Sequence, residues 1–122
     1  MNAATLPRLV TNLHSLEKKA VLQFTKQAIA DYGDTIEHIS LYSAGRRNSR
    51  GFEEVEILIL TTEDDDQFED RILDVVADVV VDTGVYLTVR TFSREAFESF
   101  SAMKLPIVSQ IRDTAVALFD AR

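Results

Sequence analysis

The chain has no cysteine, so disulfides and thiolate metal sites are excluded. It has no apolar run near the roughly 20 residues that a bilayer-spanning helix needs. Its opening, MNAATLPRLV, lacks the charged start and long apolar core of a secretion signal. It has only two histidines, His14 and His38. Neither has a partner at metal-ligand spacing, and each reads as a packing or surface residue. No segment repeats, none is of low complexity, and none reads as a linker. Basic residues are in the minority: 13 Lys and Arg stand against 20 Asp and Glu, for a net charge of −7. A broad nucleic-acid-binding face is not expected on such a chain. These absences point to a cytoplasmic protein with no membrane partner.

What is present suits one folded domain, residues 1–122. Hydrophobic residues make up 46% of the chain, enough for a core and too many for a disordered segment. The charge is unevenly spread. Residues 1–50 carry seven Lys and Arg against four Asp and Glu, whereas residues 51–122 carry six against sixteen. The local cluster Arg46, Arg47 and Arg50 either attracts phosphate or keeps an exposed loop solvated.

Periodicity gives the elements. From about Pro7 to Tyr32, Leu9, Leu13, Leu16, Ala20, Phe24 and Ala28 recur at helical spacing, with Gly33 as the stop. Ile36 to Tyr42 reads as a strand, Ser43 to Gly51 as a polar loop, and Val55 to Leu60 as a strand covered on both faces. A helix from about Asp66 to Asp82 buries Phe68, Ile72, Val75, Val76, Val79 and Val80. Its Asp66, Asp70, Asp74, Asp78 and Asp82 fall at successive i+4 positions. That acidic stripe is either a solvated face or a surface for a basic partner protein. Gly84 turns the chain into a third strand, Val85 to Thr91, with Val85, Leu87 and Val89 on one side and Tyr86, Thr88 and Arg90 on the other. Ser93 caps a short helix carrying Phe97 and Phe100. A last helix is expected from about Pro106 to Phe119. The order helix-strand-strand-helix-strand-helix-helix gives an α/β (α+β) domain with a mixed sheet of at least three strands and helices packed around it.

The centre of this pattern is IEHISLYSAGRRNSRGFEEVEILILTT, residues 36–62. Glu54 and Glu56 sit two apart on the second strand, so they point to the same side. A carboxylate in an apolar strand needs a partner or a task. The stretch resembles the small nucleotidyltransferases of the polymerase-beta superfamily. Those carry a strand ending in a Gly-Ser turn, a basic loop, and a strand with an Asp-x-Asp pair. Ser43-Ala44-Gly45 stands at the turn, and Glu54-Val55-Glu56 stands at the pair. The likeness covers most of the chain. It extends to Ile111-Arg112-Asp113-Thr114-Ala115-Val116-Ala117-Leu118-Phe119, where Thr114 replaces the family's glycine.

The resemblance implies a nucleotidyltransferase-like fold and, if the chain is active, a defined site. Glu54 and Glu56 would bind Mg²⁺, while Ser43, Gly45, Arg46 and Arg47 would face the phosphates of a nucleoside triphosphate. The departures from the pattern weaken catalysis. A glutamate places its oxygens about an ångström further out than an aspartate, and a misplacement of about 1 Å costs about 10²-fold in rate. Ala44 crowds a turn that must admit phosphate. The third strand carries no carboxylate in its interior; Asp82 precedes it, Glu95 follows it, and Arg90 could neutralise Glu54 or Glu56 instead. The expectation is therefore a degenerate nucleotidyltransferase fold, with no confident catalytic residue and no cofactor. It would act through a protein partner or as a homodimer. Small members of the family act beside a helical toxin, so an antitoxin-like role follows from the resemblance. Two alternatives stand: an active Mg²⁺-dependent enzyme acting on an unknown acceptor, and an unrelated α/β domain in which the Glu pair belongs to a structural ion pair.

Overall fold

A computed structural model describes residues 15–47, 53–63, 66–103 and 115–121. The elements run α1 (Ser15–Tyr32), β1 (Ile36–Arg47), β2 (Glu53–Thr61), α2 (Phe68–Thr83), β3 (Tyr86–Ser93), α3 (Arg94–Ala102) and β4 (Val116–Asp120). The four strands form one mixed sheet in the order β3-β2-β1-β4. The expected α/β class is therefore observed, and the helices and strands follow the expected order as far as α3.

β2 is the strand on which the sheet is built. It pairs antiparallel with β1, from Ile36 opposite Thr61 to Arg47 opposite Glu53. It pairs in parallel with β3, from Glu54 opposite Tyr86 to Thr61 opposite Ser93. A parallel pair needs a crossover, and α2 supplies it. Alternation along β2 sends Val55, Ile57 and Ile59 into the main core with α1 and α2. Leu58 faces the other way, into a smaller cluster with Tyr42, Leu60, Phe92 and Phe97 under α3. A strand covered on both faces is what its nearly unbroken apolar run requires.

α1 and α2 pack side by side on the first face. The buried stripe of α1 runs through Val21, Phe24 and Ala28, and one turn earlier it reaches Glu17 rather than Leu16. Leu16 is thus exposed, against the expectation that it lies inward. At about 100° per residue, Glu17 lies about 20° around the helix from Phe24 and Leu16 about 80°, so Glu17 sits nearer the centre of the buried face. Pro7 to His14, the expected start of this helix, lies outside the described residues. α2 matches its expected span to within two residues and buries Phe68, Ile72, Val75 and Val79. It ends at Gly84, whose φ of +74° is left-handed and whose N–H donates to the Val80 carbonyl at 2.7 Å. A side chain would be strained there. Ser93 caps α3 as its type suggests, its Oγ accepting from the Ala96 N–H at 3.0 Å.

Two expected segments are also corrected. Ser43 to Arg47 is not loop: β1 continues through it, with Ser43 opposite Glu56 and Arg46 opposite Glu54. Polar composition suggested exposure, but the facing strand supplies a backbone partner whatever the side chains are. Register shifts at Leu41/Ser43 and Ser43/Arg46 let the strand carry irregular spacing. The rest of the expected loop, residues 48–52, lies outside the described residues. The end of the expected last helix is also not helical. Val116–Asp120 is a strand paired antiparallel with β1, Ile39 opposite Phe119 and Leu41 opposite Val116. Val116 and Leu118 are buried and Ala117 is exposed between them. A segment of five residues fits either period, and the edge of β1 decides for the strand. Residues 106–114 of that expected helix lie outside the described residues.

Candidate functional site

The carboxylate pair sits near the start of β2. In register with it on β1 are Arg46 opposite Glu54 and Ser43 opposite Glu56. On β3, Tyr86 lies beside Glu54 and Thr88 beside Glu56. The fold therefore gathers the backbone of Ser43, Arg46, Glu54 and Glu56 onto two neighbouring strands. Gly45 and Arg47 belong to the same stretch of β1. The Glu56 side chain is half-buried, on the same face of β2 as buried Leu58.

The polar side of β3 has a definite use. Arg90, beside Leu58 in register, reaches across that strand and donates from Nε to the Tyr42 hydroxyl at 3.0 Å. Tyr42 is buried with Leu58. The cation thus satisfies a buried tyrosine's oxygen, the kind of partner such a hydroxyl needs. The expectation that Arg90 lies on the polar side of β3 is met, and its contact within the described residues is to Tyr42.

A second locus was not anticipated. An open cleft of about 330 Å³ lies at the opposite end of β2, lined by Thr61, Asp66, Glu69, Phe92, Ser93 and Phe100, among others. It forms where the carboxyl ends of two parallel strands meet the N-termini of α2 and α3, the place where open α/β sheets commonly take ligands. Phe92 and Phe100 meet edge to face with centroids 5.4 Å apart and wall one side. Thr61 donates from Oγ1 to the Glu63 carbonyl at 2.8 Å. From Glu56 to Thr61 the strand advances about 16 Å, at about 3.3 Å per residue. The carboxylate pair and the cleft are separate places. The signal for the cleft was in the sequence, as the acidic run ending at Asp66 and the Ser93 cap, but only the parallel pairing of β2 with β3 brings the two together.

The acidic stripe is divided among three environments. Asp66 lines the cleft. Asp78 and Asp82 accept from the side chains of Gln27 and Gln23 on α1, at 2.9 and 2.7 Å. Asp70 and Asp74 are exposed. Among the described residues no group of three or more His, Asp or Glu side chains could hold a metal ion, and no helix is long and apolar enough to cross a membrane.

The chain matches no family model, no curated protein and no solved structure.

Proposed function

We propose that this chain is a cytoplasmic, nucleotidyltransferase-like domain that has lost or nearly lost catalysis, and that it works as a regulatory, antitoxin-like module through protein contacts. The observation that carries this reading is the register of β3. The β3 residues in register with the carboxylate pair are Tyr86 and Thr88, where two-metal chemistry would require another carboxylate. Two Mg²⁺ ions held about 3.5–4 Å apart need such a set of oxygen ligands on rigid neighbouring strands. Arg90, the next residue on that side of β3, is joined to Tyr42.

One observation favours an active Mg²⁺-dependent enzyme. Glu54 and Glu56 do lie two apart on an inner strand, with Ser43 and Arg46 in register. In that case the pair would hold the metal, Ser43 and Gly45 would face the triphosphate, and Arg46 and Arg47 would steady it. The acceptor hydroxyl oxygen would then bond to the α-phosphorus as the α–β phosphoanhydride bond breaks, with pyrophosphate leaving and the hydroxyl proton passing to solvent.

Calorimetric titration with ATP, CTP and GTP, each with and without Mg²⁺, separates the two. A degenerate domain gives no metal-dependent heat. Mg²⁺-dependent binding that disappears in the Glu54→Gln, Glu56→Gln variant would sink the degenerate reading.

A further inference from the structure

We propose that the cleft at the carboxyl ends of β2 and β3 is a binding site for an arginine side chain presented by a partner protein. The site rests on the protein-contact role above and names the chemistry of the contact. α2 packs on the Val55, Ile57 and Ile59 face of the sheet and α3 on the Leu58 face, so the cleft straddles the sheet's end and its two walls differ. The start of α2 brings Asp66 and Glu69, both exposed. β3 and α3 bring Phe92 and Phe100, half-buried and edge to face at 5.4 Å. The hydroxyls of the lining are already engaged: Thr61 donates to the Glu63 carbonyl at 2.8 Å, and Ser93 accepts from the Ala96 N–H at 3.0 Å.

The charge of the lining chooses the sign of the ligand. Its described residues include two carboxylates and no cation. Those carboxylates are unspent. Further along α2, Asp78 and Asp82 accept from Gln27 and Gln23, whereas Asp66 and Glu69 enter no ion pair among the described residues. The arginines adjoining them in sequence are turned elsewhere: Arg71 donates to Gln67 at 2.9 Å, and Arg94 donates to Glu37 at 2.9 Å. An anion is disfavoured here. Helix N-termini draw anions, but Glu69 and Asp70 already occupy the first turn of α2 and Glu95 that of α3.

The aromatic wall chooses its shape. A ligand that uses both walls carries a cation on an apolar stem. Arginine does so: its methylenes lie along apolar surface, its planar head stacks on rings, and its fork of N–H donors matches carboxylates. A lysine brings the stem but only a point charge, without the fork. A bare metal ion would leave the rings unused, and no group of three acidic or histidine side chains stands among the described residues to hold one. The cleft's volume of about 330 Å³ lies at the low end of ligand pockets, about 300–1,000 Å³. It suits one side chain better than a nucleoside triphosphate.

Nuclear magnetic resonance titration of the full chain with Nα-acetyl-arginine amide tests the site. The wild type binds the probe saturably, at about millimolar concentration for so small a ligand. The shifts gather at Thr61, Glu69, Ser93 and Ala96 and at the rings of Phe92 and Phe100. The citrulline counterpart, with the same stem and a neutral head, leaves them unmoved. The Asp66→Asn, Glu69→Gln variant loses about tenfold in affinity with an unchanged far-ultraviolet circular dichroism spectrum. The Asp78→Asn, Asp82→Asn variant removes the same charge more than two turns along α2 and binds as the wild type does. Absence of saturable binding overturns the site, as does equal binding of citrulline or an equal loss in both variants. A silent arginine titration beside a silent nucleotide titration removes this site and leaves the degenerate reading standing, so the two fail separately.

Discussion

Gln23 donates from Nε2 to Asp82 at 2.7 Å, and Gln27 repeats the contact to Asp78 at 2.9 Å. Two glutamines four apart on α1 thus meet two aspartates four apart on α2. The acidic spacing that reads as a free surface is, over its second half, a fastening between helices. Replacing Gln23 and Gln27 together by Ala is expected to lower stability by about 0.5–1 kcal/mol, the range for exposed polar pairs. A double-mutant cycle with Asp78→Ala and Asp82→Ala in urea denaturation would give a coupling of the same size, and strict additivity would show the pairs to be idle.

Arg90 and Tyr42 make the corresponding prediction on the other face of the sheet. Tyr42→Phe removes the hydroxyl that accepts from Arg90 at 3.0 Å and is expected to destabilise by about 1 kcal/mol. Arg90→Leu is expected to cost a similar amount, and adding it to Tyr42→Phe should cost little more. The measurement is the shift in denaturation midpoint for the two single variants and the double.

The alternation of β4 can be tested by side chain. Leu118 is buried and Ala117 is exposed. Leu118→Ala is expected to cost about 2–4 kcal/mol through lost burial and a residual cavity, whereas Ala117→Lys is expected to stay within about 0.5 kcal/mol. Comparable losses at both positions would contradict a strand with one covered face.

Gly84 holds a φ of +74° with open space around the position of a Cβ. Strain is therefore the whole effect of Gly84→Ala, expected at about 1–2 kcal/mol. Gly33 differs: a Cβ there would lie 2.6 Å from the Ile29 carbonyl oxygen, so the backbone joining α1 to β1 must move. Thermal unfolding of the two variants should separate a strained conformation from a steric collision, with Gly33→Ala the more damaging.

Where residue type and period agree, the sequence is a sufficient guide. α2 shows it, with its Phe68, Ile72, Val75 and Val79 stripe and its Gly84 stop, and so does the Ser93 cap. These are local decisions. The two segments that differ from their expected form lie where a distant strand makes the decision. Ser43 to Arg47 is extended because Glu53 to Glu56 lies alongside, and Val116 to Asp120 is extended because β1 has an edge to fill. Periodicity carries no information about either partner. The candidate site divides the same way. The Glu54 and Glu56 spacing is visible in the sequence, but Tyr86 and Thr88 become their neighbours only through the parallel register. The cleft between Thr61 and Ser93 needs three elements before it exists.

The pairing of Ile39 with Phe119 joins residues 80 positions apart and adds the sheet's last described strand. During synthesis β1 can zip onto β2 early, yet its other edge waits until Val116 to Asp120 has left the ribosome. Until then a row of backbone donors and acceptors on β1 stands unpaired, the configuration that invites association with other nascent chains. Long-range closure of this kind is slow relative to hairpin formation. Premature termination before Val116 would therefore leave more than a chain lacking five residues: it would yield one whose inner strand has become an edge.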